Sequence, residues 1–153
     1  MMERILPIAV LLLSTRLWAD SSQLPPPDQD PFVGEWMQVN GKSLPHITGR
    51  YSRTISREAE YVVFSSYDSK QRPPDKTYRI KCDGQLYPVP GNTMLSCEYS
   101  SSRSVIGTTR QPGGTVLYWS REVSPDGNEM RIFGFKDQQR KNLQSIEILD
   151  RVK

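Results

Sequence analysis

From Phe32 to the C-terminus the chain is a succession of short runs in which apolar side chains alternate with polar ones. "KTYRIKC" (Lys76–Cys82) shows the period most clearly, with Tyr78, Ile80 and Cys82 on one face and Thr77, Arg79 and Lys81 on the other. "GEWMQV", "RYSRTISR", "EYVVFSSY", "TMLSCEYS", "RSVIGTTR", "TVLYWSREV", "EMRIFGF" and "LQSIEILDRV" share this texture, rich in residues that suit a pleated surface. Between them lie "DSKQRPPD", "CDGQLYPVPGN", "QPGG", "SPDGN" and "KDQQRKN". Asp83-Gly84, Pro112-Gly113-Gly114 and Pro125-Asp126-Gly127 supply the preset or positive-φ positions that hairpin turns need. No stretch carries a capped helical stripe, and Asp137–Asn142 is too short for more than a turn. About nine short strands with short connections predict an all-β domain over residues 32–153, a single antiparallel up-and-down barrel. Closure removes the exposed edges that so long a meander would otherwise leave.

Two segments precede this body. "MMERILPIAVLLLSTRLWAD" places Arg4 ahead of the apolar run Ile5–Leu13 and a small residue, Ala19, before Asp20. That layout predicts a signal peptide over residues 1–19, cleaved after Ala19, and a secreted or periplasmic protein. The apolar run is far shorter than the ~20 residues that cross a bilayer, so no stable membrane insertion is expected. The late Arg16 and the bulky Leu17 leave an uncleaved anchor as the alternative. No cysteine stands near the cleavage site to take a lipid. Residues 20–31, "DSSQLPPPDQDP", are proline-rich with almost no apolar side chain, which predicts a disordered leader.

Gly34 and Trp36 open the first strand one residue apart, on the face aimed at the barrel interior. Glycine permits close approach of a neighbour. The indole can lie across an open end and bury roughly 200 Å2 there. A guanidinium from the last strand is its natural stacking partner, and Arg151 is the candidate.

Gly34-x-Trp36 with Arg151 resembles the structural signature of lipocalins and the wider calycins. The runs "YRIKCDGQLYPVPGN", "VSPDGNEMRI" and "IEILDRVK" are similar to those of an uncharacterised family of small secreted bacterial lipocalin-like proteins. That family carries a tyrosine-bearing strand, a "DGK-x-YPV-x-G" loop, an "S-x-DGK-x-M" hairpin and a closing strand ending near "Y-x-R". The resemblance runs from about Pro31 to Lys153, with Gln85 and Asn128 where the family has lysine and Leu149 where it has tyrosine. It implies a lipocalin-like barrel and no agreed activity.

Charge and cysteine usage narrow the picture further. With 20 Lys and Arg against 17 Asp and Glu, interspersed, the chain has no basic stripe of the kind nucleic acid requires. Arg50, Arg53 and Arg57 are the nearest approach to a cluster, and they read as a solvated strand face. Cys82 and Cys97 are the only cysteines, and in an exported chain they invite a disulfide, two buried thiols being the alternative. No metal site and no cofactor motif is expected: the sole histidine, His46, is remote in sequence and no phosphate-cradling loop occurs.

Catalytic constellations are missing, so the chain reads as a non-enzyme. A Ser–His pair would have to use His46, which follows Pro45 in a loop, and Glu58 with Glu60 reads as a charged strand edge. Tyr87, held between prolines, suits packing over a barrel mouth or contact with a ligand. In "TVLYWSREV" either Val116, Tyr118 and Ser120 or Leu117, Trp119 and Arg121 face inward. The first set would give a small neutral pocket; Trp119 and Arg121 would give a polar-tipped one suited to an anionic amphiphile. The expected partner is a small hydrophobic or amphipathic ligand, unless the barrel is filled by its own side chains. The alternative is a protein-interaction module, such as an envelope protease inhibitor acting through its N-terminal segment.

Overall fold

A computed structural model describes residues 24–39, 42–45, 51–68 and 76–153. The expected signal peptide, His46 and Arg50 lie outside the described residues. Ten strands follow one another: β1 (Gly34–Gln38), β2 (Tyr51–Glu58), β3 (Tyr61–Asp68), β4 (Lys76–Ile80) and β5 (Tyr87–Val89), then β6 (Thr93–Ser101), β7 (Ser104–Arg110), β8 (Val116–Val123), β9 (Glu129–Phe135) and β10 (Leu143–Arg151). They form one antiparallel sheet in the order β4-β3-β2-β1-β10-β9-β8-β7-β6-β5, a nearly closed barrel with no helix among the described residues.

The fold is the all-β barrel expected, with ten strands in place of about nine. The additional strand is β5, which the pattern of "LYPVPG" had placed within a connection. Tyr87, Pro88 and Val89 pair with Leu95, Met94 and Thr93. A strand bearing proline is tolerated there because β5 is an edge, where one side of the ladder needs no donor.

The two edges, β4 and β5, are consecutive in sequence and meet at the remaining seam. A disulfide between Cys82, just past β4, and Cys97 on β6 staples that seam. The Gly84 amide donates to the Cys97 carbonyl at 2.8 Å, and Asp83 bridges to Glu98, so the chain is held on both sides of the bond.

The hairpins β2–β3, β6–β7 and β8–β9 turn at one end, the base, and β7–β8 and β9–β10 at the other, the mouth. Toward the base the interior is solid. Trp36, Ile55, Ile80, Met130 and Leu149 have essentially no exposed surface. Arg151 lies over the Trp36 indole at 4.2 Å. It donates to the carbonyls of Pro31, Val33 and Gly127 at 2.6, 2.7 and 2.6 Å, while Trp36 Nε1 donates to Phe32 O at 2.9 Å. Gly34 is required beside this stack. Its φ of +144° favours glycine, and a Cβ there would collide with Arg151 Nη1.

Part of the expected leader belongs to the folded body. Leu24 packs on the core, and Arg57 Nη1 reaches both the Pro25 carbonyl at 3.2 Å and the Asp30 carboxylate at 2.9 Å. Asp30 is fully buried at its side chain, accepts from the Tyr99 hydroxyl at 2.6 Å and caps the Phe32 amide at 3.0 Å. Composition argued for disorder because a single acid, which neutralises a buried cation, does not alter a segment's apolar content.

Candidate functional site

Above the solid base the interior opens into a cavity of about 680 Å3. Its wall comes from β2, β6, β7, β8, β9 and β10, and from Pro45 near the mouth. Leu95, Leu117, Trp119 and Ile132 give it an apolar body. Three charged side chains, Arg53, Arg121 and Glu147, reach it among the described residues.

The structure settles which face of β8 points inward. Leu117, Trp119 and Arg121 line the cavity, and Trp119 and Arg121 are 8% and 7% exposed. Trp119 Nε1 donates to Thr109 Oγ1 at 3.2 Å, which fixes the ring against β7. Its approach depends on Gly107, where a Cβ would run into the Trp119 ring and the Ser96 carbonyl. Tyr118 sits at the boundary, touching both the cavity and a smaller pocket on the outer face of the sheet. Tyr87 is elsewhere: its ring packs against the core near the seam and its hydroxyl donates to Asp83 at 2.8 Å. It does not line the cavity, because the short edge strand that carries it turns it toward the Asp83 loop.

Arg121 is the unusual member of the set. Its guanidinium lies 4.8 Å over Phe64 and 4.7 Å over Trp119, with Tyr78 as a polar neighbour. Its Nε has no hydrogen-bond partner, and no carboxylate among the described residues forms an ion pair with it. Burial lowers its proton affinity, and Tyr78 opposes that shift. Aromatic faces offset part of the desolvation of a cation. They do not replace the counter-ion that a buried charge calls for.

Arg53 and Glu147 form the other charged element. Arg53 Nη2 donates to both Glu147 oxygens, at 3.0 and 3.3 Å, across 94 positions of sequence. Burial pushes the Glu147 carboxyl up to about 7, and the guanidinium at 3.0 Å pulls the other way. Arg53 and Arg57 are therefore not a solvated strand face. Period-2 alternation puts Arg53, Ile55 and Arg57 on one side of β2, and that side is the interior, where each arginine meets an acid from a distant segment. Glu58 and Glu60 do not act as a pair, since Glu58 faces Arg79 at 3.8 Å and Glu60 faces Lys81 at 2.7 Å.

Among the described residues no group of three His, Cys, Asp or Glu is placed to hold a metal ion, and no helix is long and apolar enough to cross a membrane.

No family model and no curated protein sequence matches the chain. Solved structures do match its fold. Secretory abundant heat soluble protein 4 from Ramazzottius varieornatus superposes with a TM-score of 0.66 at 10% identity, covering 86% of this chain and 100% of that one. A Schistosoma mansoni fatty acid binding protein in complex with arachidonic acid gives 0.64 at 14% identity, covering 82% and 98%. Echinococcus granulosus fatty-acid-binding protein 1 gives 0.62 at 12% identity, covering 80% and 98%. The barrel is thus of the calycin-like type that these proteins share. Their names denote binding and heat-soluble proteins, not enzymes.

Proposed function

We propose that the barrel binds a small amphipathic acid, with its tail among Leu95, Leu117, Trp119 and Ile132 and its acidic head on Arg121. The observation that carries this reading is a buried guanidinium, with no ion-pair acid among the described residues, in the wall of an open cavity. A volume of about 680 Å3 falls in the range of roughly 300–1,000 Å3 used by small-molecule sites. The molecule also contains its own template. Arg57 and Tyr99 together hold the Asp30 carboxylate, and Arg121 with Tyr78 repeats the same two side-chain types without a carboxylate among the described residues. That fatty-acid-binding proteins share the fold supports the reading at the level of architecture.

The proposal includes export, for which the N-terminal pattern argues and with which a Cys82–Cys97 disulfide agrees. It also places the chain among the small secreted lipocalin-like proteins that its loop motifs resemble. A protease-blocking role needs a free extended segment, and Leu24–Pro31 gives it no support because that stretch lies against the base.

Calorimetric titration of protein refolded free of lipid, using saturated fatty acids of increasing length, tests the reading. Saturable binding at one site is expected, weakened roughly tenfold or more by Arg121→Met, as for loss of a charge-assisted bond. Absence of heat at every chain length, or equal affinity in the variant, contradicts it.

A further inference from the structure

Glu147 is the one acid among the described cavity-lining residues. It uses both oxygens on Arg53 Nη2, so the two side chains form a formally neutral pair. Arg53 stands near enough to Arg121 to lower its proton affinity, which makes the three a single electrostatic cluster. With Glu147 ionised the cluster carries one net positive charge, and with Glu147 neutral it carries two.

Among the described residues that line the cavity, no other charged side chain contributes to that sum. Beside Glu147, β9 presents Ile132 and Gly134 to the cavity, and β1 presents the amide Gln38, which bonds Ser43. From β4, Tyr78 approaches Arg121. The cations on neighbouring elements, Lys42 and Arg131, are engaged with Glu129, and Lys42 also with Asp150. A buried ion cluster is least costly when its charges sum to zero. One monoanion brings this cluster to zero, whereas a dianion leaves an uncompensated negative charge in a cavity of low dielectric.

We propose that Glu147 sets the charge of the headgroup that the cavity accepts, admitting singly charged acids such as alkyl carboxylates and sulfonates and rejecting doubly charged ones such as alkyl phosphates. The inference rests on the binding reading above and adds a specificity-determining residue to it. Protonation of Glu147 acts in the same direction as its removal. Burial favours the neutral carboxyl and the Arg53 guanidinium the ionised one, so the second positive charge emerges as the pH falls to where burial prevails.

The test compares an alkylsulfonate with an alkyl phosphate of the same chain length, both below their micelle concentrations. At about pH 8 the phosphate carries close to two charges. The wild-type protein is expected to prefer the sulfonate by roughly tenfold or more, and Glu147→Gln to abolish or invert that preference. An unchanged preference in the variant overturns the proposal while leaving the binding reading intact. Failure of both amphiphiles to bind either protein overturns both. Should the variant not fold, the wild type decides alone, because the sulfonate keeps one charge at every pH. The phosphate sheds part of its second charge between about pH 8 and pH 6, so its affinity relative to the sulfonate should rise over that range, and an unchanged ratio refutes the role of Glu147.

Discussion

Two pairings of a guanidinium with a phenol lie in this one barrel, Arg57 with the buried Tyr99 near the base and Arg121 of the cavity wall with the half-buried Tyr78. At the base the pair encloses Asp30, whose carboxylate is 2.9 Å from Arg57 and 2.6 Å from the Tyr99 hydroxyl. In the cavity wall, no acid among the described residues pairs with Arg121. Each arginine leaves its Nε unbonded, so hydrogen-bond satisfaction is not what separates them. Neutralisation is. A charge compensated from within belongs to the fold, and one without compensation in an open cavity is available to a ligand.

Removing the internal acid should have the largest effect. Asp30→Ala leaves Arg57 buried without its counter-ion and should destabilise the protein by about 3–5 kcal/mol in urea unfolding, without altering ligand affinity in the folded fraction. A loss below about 1 kcal/mol would mean that the base cluster does not anchor the N-terminal segment.

The seam comes next. Replacing both Cys82 and Cys97 by alanine opens a loop of 15 residues' separation, for which loop-closure entropy predicts a loss of about 3 kcal/mol. Non-reducing mass measurement establishes the bond independently.

Arg121→Met should behave in the opposite way to Asp30→Ala. A buried charge with no ion-pair acid among the described residues is replaced by an apolar chain of similar reach, so stability should change by less than about 1 kcal/mol or rise. If it falls as far as in Asp30→Ala, the distinction between the two sites is lost.

The smallest effect is on pH dependence. Glu147 is held at about 7 in the folded protein against an ordinary 4.5, so between these values the folded state retains a proton that the unfolded chain has released. Stability should therefore decline as the pH rises through this window, with the deficit complete above it. Glu147→Gln should flatten that slope. A slope of opposite sign would show that the Arg53 ion pair outweighs burial.

The apolar and structural half of the molecule was legible in the sequence. Alternation located nine of the strands, and Gly34, Trp36 and Arg151 meet at the base where glycine's freedom and the indole's size demand a partner. The charged half was not legible, for a physical reason. An arginine on an alternating strand looks the same whether its face is solvated or closed over an acid. The acids that decide the matter, Asp30 and Glu147, stand 27 and 94 positions from their partners. Asp30 was further masked by the prolines around it. On β8 both faces carry aromatic residues, so periodicity left the interior face open. What selects Trp119 and Arg121 is the presence of Phe64 and Tyr78 across the barrel, brought there by β3 and β4. Tyr87 drew attention for its rigidity, which serves packing at the seam.

The most direct test is a crystal structure of the protein with a medium-chain fatty acid. The acid's carboxylate should lie within about 3 Å of the Arg121 guanidinium, its chain running toward the mouth past Trp119 and Leu117. A carboxylate left in solvent at the mouth, with the methyl end pointing at Arg121, would contradict the account.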